Sequence, residues 1–286
     1  MTSPDRSTAL VLGGGGIAGI AWEIGLLSGL AEAGVDVRDA DLVVGTSAGS
    51  IVGTLLRTGA DLEELYAAQL GPVPATERAV QFDGAAFFAS FAAALAGATE
   101  QQEARARIGA LALRAQTMPE SERRAVIGGR IGTPEWPDRR LVVTVVDTAD
   151  GEFLAVDRDT GFPLLDAVAA SCAVPGVYPP ITVGERRFMD GGMRSATNAD
   201  LAAGCETVLV VAPMAGIAGS PLGPSPDDEM ATLRGGGKAH LVLADETAVQ
   251  AFGTSPLDPA TREPCARAGR AQAERVAAEV RAFWSC

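Results

Sequence analysis

A serine hydroxyl attacks a carbonyl only when its oxygen stands clear of neighbouring backbone and its proton has somewhere to go. Gly45-Thr46-Ser47-Ala48-Gly49 supplies the first condition: one serine between two glycines, directly after the apolar run Leu42-Val43-Val44. That order reads as a nucleophile elbow, a strand turning sharply into a helix, with small flanking residues because backbone approaches closely there. Ser50-Ile51-Val52-Gly53-Thr54-Leu55-Leu56 has the apolar spacing of the helix that follows, and its positive N-terminal end would stand beside Ser47. In a chain with 34 glycines the pentapeptide alone is equally compatible with a plain strand-to-helix turn.

A second segment bears on the choice. Ala9 to Leu12 reads as a buried strand, followed by Gly13-Gly14-Gly15-Gly16-Ile17-Ala18-Gly19 and a helical pattern from Ile20 to Leu30. Glycines at a helix N-terminus expose backbone N–H groups at the positive end of the helix dipole and so form an anion site. A dinucleotide fold would use Gly14, Gly16 and Gly19 but also needs an acidic residue ending the next strand, where this chain has Gly45-Thr46-Ser47. A phosphate-binding P-loop needs Lys-Ser or Lys-Thr after the last glycine, where this chain has Ile20-Ala21. The oxyanion of an acyl-transfer transition state remains, held by donors beside the nucleophile.

The third segment is Phe188-Met189-Asp190-Gly191-Gly192, an aspartate ending a short strand; Asp-Gly on its own is an ordinary turn dipeptide. Taken together, Gly14-Gly15-Gly16-Ile17-Ala18-Gly19, Gly45-Thr46-Ser47-Ala48-Gly49 and Asp190-Gly191-Gly192 resemble, in order and rough spacing, the patatin-like phospholipase family. That family's pattern is G-G-G-x-R/K-G, G-x-S-x-G and D-G-G/A. The block from Ala170 to Pro180 is similar to the small-residue and proline segment before the aspartate strand in bacterial members, so the resemblance covers roughly residues 8 to 215.

The resemblance implies a Ser47–Asp190 dyad in which the carboxylate is the base, an oxyanion hole formed by the N–H groups of Gly14, Gly15 and Gly16, and an acyl-enzyme on Ser47. It implies hydrolysis of lipid carboxylic esters, of phospholipase A or esterase type. A carboxylate with an ordinary pKa is a poor base, so Asp190 would need surroundings that raise its proton affinity. One departure is Ala18, where the family carries Arg or Lys; the expected result is catalysis with an altered head-group preference.

Two rival readings stay open at this stage. One is an α/β-hydrolase with a Ser47, Asp, His240 triad, which fits the chain order although Ser47 comes early for that fold. The other is a lipid-binding pseudoenzyme without turnover. Cys172 lies near the aspartate strand but has no histidine near it in sequence and reads as a packing residue.

Elements must hold these residues in place. Apolar segments at Ala9 to Leu12, Leu42 to Val44, Leu141 to Val146, Phe153 to Val156 and Val208 to Val211 alternate at first with helical patterns. This predicts a three-layer α/β/α fold with a mostly parallel, covered sheet and ligands at the carboxyl ends of its strands. The expected organisation is one patatin-like α/β domain over 1–286, with a helical insert at about 72–136 and a closing helix at about 264–284 bearing Val276, Val280 and Phe283 on one face. Phe82, Phe87, Phe88 and Phe91 suggest helices covering the sheet or, failing that, a lid or acyl-chain pocket. Met214 to Gly237, dense in proline and glycine, reads as a long mobile loop.

Composition narrows the partners. With 47% hydrophobic residues the chain can bury a large core. The net charge of −13 argues against nucleic acid and against attraction to anionic membranes, so a lipid or other acyl ester would be recognised by its acyl chain, in transient contact with a membrane surface. No apolar run reaches 18 residues and Met1 to Thr8 is polar, which predicts neither a transmembrane segment nor a signal peptide and points to the cytoplasm. One histidine and no spaced acidic cluster predict no metal, and nothing calls for a cofactor. Cys172, Cys205, Cys265 and Cys286 show no C-x-x-C spacing and read as free thiols.

Overall fold

The computed structural model describes residues 7–74, 84–132, 135–216 and 219–284. Eight strands form one sheet: β1 (Thr8–Leu12), β2 (Leu42–Gly45), β3 (Leu141–Asp147), β4 (Phe153–Val156), β5 (Ile181–Val183), β6 (Arg186–Asp190), β7 (Thr207–Ala212) and β8 (Lys238–Leu243). The order is β5-β6-β3-β2-β1-β7-β8, with β4 also paired to β3. From β3 to β8 the neighbours are parallel, and β4, β5 and β6 join antiparallel. The mostly parallel sheet expected from the β-branched runs is therefore present, and β1, β2, β3 and β7 are buried along almost their whole length.

Ten helices surround it among the described residues: α1 (Gly16–Glu32), α2 (Ala48–Arg57), α3 (Leu62–Leu70), α4 (Gly84–Leu95), α5 (Gln101–Arg114), α6 (Glu120–Ile131), α7 (Leu164–Ser171), α8 (Pro226–Arg234), α9 (Glu246–Phe252) and α10 (Arg262–Trp284). Alternation along the strands divides the core. Leu10, Leu12, Val43, Val143 and Val145 face α1, α2, α7 and α10, whereas Ala9, Val11, Val44, Val142 and Val210 face α8 and the 3-10 turn Ala199–Ala202. Ile108 and Ala112 of α5 cover Val146 and Met189. These are the three layers that the alternation of elements predicts.

α1 carries little amphipathic pattern because it is buried from Ile17 to Leu30, pressed between the sheet and α10. Trp22 Nε1 donates to Gln272 Oε1 at 3.0 Å across that contact. Val280 of α10 is buried, and Val276 and Phe283 pack beside it, as the helical spacing predicts.

Two expectations need correction. Met214 to Gly237 is not all loop: Ser225, Pro226 and Asp228 form an N-terminal capping box and start α8, so Asp227-Asp228-Glu229 is the first turn of a helix. The glycines after α8 lead straight into β8, an edge strand that the sequence reading omitted. Phe82 lies outside the described residues. α4 is neither buried against the sheet nor part of the pocket at Ser47: no residue of it is buried, and Phe88 is 63% exposed. Phe91 packs with the α5 cluster beside Met189.

Candidate active site

Ser47 ends the turn from β2 into α2 with φ 52°, a left-handed conformation that a non-glycine residue adopts only under strain of about 1–3 kcal/mol. The neighbours explain why the turn holds. A Cβ on Gly49 would lie 2.1 Å from Leu12 O, so α2 can cross β1 this closely only with glycine there. Gly49 N donates to Gly13 O at 3.0 Å and Thr46 N to Leu12 O at 3.0 Å, stitching the elbow to the end of β1. The C-terminus of α7 clamps the other side: Ser47 N donates to Ser171 Oγ at 2.9 Å, and Cys172 Sγ donates to Ser47 O at 3.2 Å. Cys172 is thus a buried brace, and burial pushes its thiol up to about 11, far from a neutral-pH nucleophile.

Asp190 arrives from the opposite direction. Gly45 of β2 pairs with Val143, and Asp190 of β6 with Val145, so one strand, β3, sets both registers. Asp190 N donates to Ala173 O at 3.1 Å, which ties this aspartate to the same α7 terminus that braces Ser47. A Cβ on Gly191 would lie 2.1 Å from Thr144 Oγ1, which accounts for the glycine after the aspartate. Asp190 is 3% exposed, and burial raises its pKa to about 7. The Gly192 N–H at 2.7 Å, the Ser47 hydroxyl and the Arg123 charge all favour the carboxylate without cancelling that shift. A buried carboxyl group with a proton affinity near neutrality thus lies beside the Ser47 hydroxyl.

The glycine loop departs in one respect from expectation. Gly14 N donates to Ala196 O at 2.8 Å, so its N–H is committed to the scaffold and is not a free oxyanion donor. The N–H groups of Gly15 and Gly16 have no acceptor among the described residues, and Gly16 lines the pocket beside Ser47. A Cβ on Gly14 would sit 3.5 Å from Ser47 Cβ, an ordinary van der Waals contact, so packing does not demand glycine there. Ala18 is fully buried, with its N–H on Pro256 O at 2.9 Å.

His240 is not part of this site. It sits on β8, separated from β2 by β1 and β7, with Nδ1 3.7 Å from Glu279 and its ring against Phe283. The triad reading fails on topology, because β8 lies on the far side of the sheet from β6. No group of three metal-ligating side chains occurs among the described residues.

Behind the elbow lies a buried polar network that the sequence did not announce. Asn198, itself at φ 50°, directs its amide nitrogen at Thr46 Oγ1, Thr144 Oγ1, Gly191 O and Ser195 O. Arg123 of α6, also unforeseen, lies over the Tyr178 ring at 3.6 Å and donates to Cys172 O. The pocket lined by Ser47, Ile20, Ile51, Val174, Tyr178 and Leu257 is small, with about 20 Å³ inside, room for a water or two.

A family model described as patatin-like phospholipase matches residues 10–203. Among curated proteins, lysophospholipase nte1 of Aspergillus oryzae is 46% identical over 61 residues, 21% of this chain and 4% of that protein. Lysophospholipase NTE1 of Coccidioides immitis is 43% identical over 79 residues, 28% of this chain and again 4% of that protein. The matches thus span a small fraction of those relatives. Among solved structures, VipD from Legionella pneumophila aligns with 97% of this chain and 67% of its own at TM-score 0.48 and 14% identity. The type III effector protein ExoU aligns with 97% and 54% at TM-score 0.44 and 16% identity. No described helix is long and apolar enough to cross a membrane.

Proposed function

The chain belongs to the patatin-like phospholipase family, and on that premise we propose that it is a serine acyl hydrolase that cleaves carboxylic esters of lipids through Ser47 and Asp190. The observation that carries this reading is the buried carboxylate of Asp190 beside the Ser47 hydroxyl, with a proton affinity near neutrality. A base of that strength is about half ionised at pH 7 and can both accept and return a proton.

In the proposed cycle the Asp190 carboxylate takes the Ser47 Oγ proton as the oxygen attacks the ester carbonyl. The tetrahedral oxyanion forms at the N-terminus of α1, where the N–H groups of Gly15 and Gly16 stabilise it, each donor contributing about 3 kcal/mol on the scale of other oxyanion holes. Collapse expels the alcohol, which leaves with the proton from Asp190, and the acyl group stays on Ser47. A water then attacks with Asp190 again as base and releases the acid. The names of the fungal relatives favour single-chain phospholipids as substrates.

Mass mapping after fluorophosphonate treatment tests this. Labelling at Ser47 in the native protein and its loss in Asp190→Asn is the expected result. A folded native protein that takes no label, and cleaves no ester, would leave only the binding-without-turnover reading.

A further inference from the structure

Among the described residues the other buried arginines have their Nε occupied. Arg57 places Nε, Nη1 and Nη2 on the carbonyls of Arg140, Arg38 and Ala40. Arg262 places its three nitrogens on Gln69 Oε1, Pro72 O and Ala68 O, and Arg105 places Nε on Gly151 O and Nη1 on Leu222 O. Arg123 does not follow this pattern. It is 3% exposed, no ion pair joins it to a carboxylate among the described residues, and its Nε has no hydrogen-bond partner. A guanidinium in that position is costly to bury unless an anion completes it.

Its setting is a pocket wall. The Tyr178 ring at 3.6 Å and the Cys172 carbonyl at 3.1 Å fix the plane of the guanidinium, and Arg123 shares the pocket with Ser47. Ile17, Ile20, Ile51 and Leu257 make the lining otherwise largely apolar. A serine in a pocket that combines apolar side chains with an oriented guanidinium suits an amphiphile with both an acyl chain and an anion. Ala18 leaves the glycine loop without a charge, and of the two arginines that line the pocket, Arg123 and Arg130, Arg123 is the buried one and has an Nε with no partner to offer an anion.

We infer that Arg123 determines specificity by receiving the phosphate of the substrate, so that the site selects single-chain acyl esters with a phosphate near the scissile bond over neutral esters of the same chain length. This rests on the acyl-hydrolase reading above. A role confined to supporting the Asp190 carboxylate makes a different forecast: Arg123 would then affect all esters alike and move the pH profile.

The test compares lysophosphatidylglycerol with monoacylglycerol of identical chain length, both below their micellar concentrations. The native protein should prefer the phosphate ester by about tenfold or more in kcat/KM, the scale of one hydrogen bond to a charged group. Arg123→Gln should bring the kcat/KM ratio of the two substrates close to one, through a rise in KM for the phosphate ester beyond any fall the two substrates share, and Arg123→Lys should restore part of the ratio. No preference in the native protein overturns the inference without need of any variant. So does an equal fall on both substrates in a folded Arg123→Gln protein. Fluorophosphonate labelling separates the two layers: label on Ser47 with no preference defeats this inference alone, whereas absence of label and of turnover defeats the acyl-hydrolase reading and this inference with it.

Discussion

Asn198 places its amide nitrogen 3.1 Å from Thr46 Oγ1, one residue before Ser47, and 3.2 Å from Gly191 O, one residue after Asp190. One side chain thus spans the two turns whose separation the proposed chemistry depends on. Its own left-handed backbone is a further cost that the network offsets. Asn198→Ala takes the donor from Thr144 Oγ1 and Ser195 O, while Thr46 Oγ1 and Gly191 O keep those of Thr144 and Arg194, and should lower stability by about 1–3 kcal/mol. We expect kcat to fall at least tenfold while KM changes little, because the dyad loosens and the pocket wall does not. Thermal melts and steady-state kinetics on one ester decide it: a stable variant with full kcat contradicts the bracing role.

Asp190→Asn should abolish turnover and stabilise the protein. The folded pKa of about 7 lies above the ordinary 3.8, so the native chain loses stability as pH rises from about 4 to 7. That shift of about 3 units is an upper bound of roughly 4 kcal/mol at pH 8. The variant should therefore melt higher than the native protein at pH 8 and close to it at pH 4. Melting curves at the two pH values test the sign directly.

The rate should follow the same ionisation. With Asp190 as base, kcat/KM rises about tenfold per unit below pH 7 and levels off above it. A midpoint near 4 would mean that the carboxylate is solvated when it acts.

His240→Ala is expected to retain at least half of the native kcat/KM. The imidazole packs on Phe283 of α10, and β1 and β7 stand between its strand and β2. Loss of activity in a folded His240→Ala protein would return the histidine to the mechanism.

Glu23 is completely buried on α1, and neither carboxyl oxygen has a hydrogen-bond partner among the described residues. Gly13 N–H lies near enough to favour the carboxylate but spends its hydrogen on Val211 O, so burial dominates and the pKa is raised well above 4.5. Its folded pKa exceeds the unfolded one, so stability falls as pH climbs from about 4.5 towards the folded value. Glu23→Met should stabilise the protein by about 1–3 kcal/mol, and by more at pH 8 than at pH 5. Chemical denaturation at both pH values measures it.

The legible part of the site was the part made of close approaches. Gly49 and Gly191 stand where a Cβ would collide with backbone or a threonine hydroxyl, so the motifs around Ser47 and Asp190 carry their geometry in their residue types. Which N–H is free was not legible: Gly14 and Gly15 look alike in sequence, and only the position of Ala196 separates them. Arg123 lies in a helix rich in charged residues and differs from Arg124 only in what surrounds it after folding. The parallel strands stood out as unbroken β-branched runs. β8 did not, because an edge strand is only partly buried and this one follows three glycines. The capping box at Ser225 was readable in principle, but the prolines around it drew the segment towards loop.

The pairing of Trp22 with Gln272 joins positions 250 residues apart. During synthesis, therefore, the apolar helix α1 emerges from the ribosome long before the helix that covers it. Until Gln272 arrives, α1 offers its unprotected face to chaperones, to neighbouring chains or to non-native partners. The seating of α1, and of the glycine turn at its start, is thus a late event of folding, and a nascent chain stopped short of α10 would present a sticky segment without its cover.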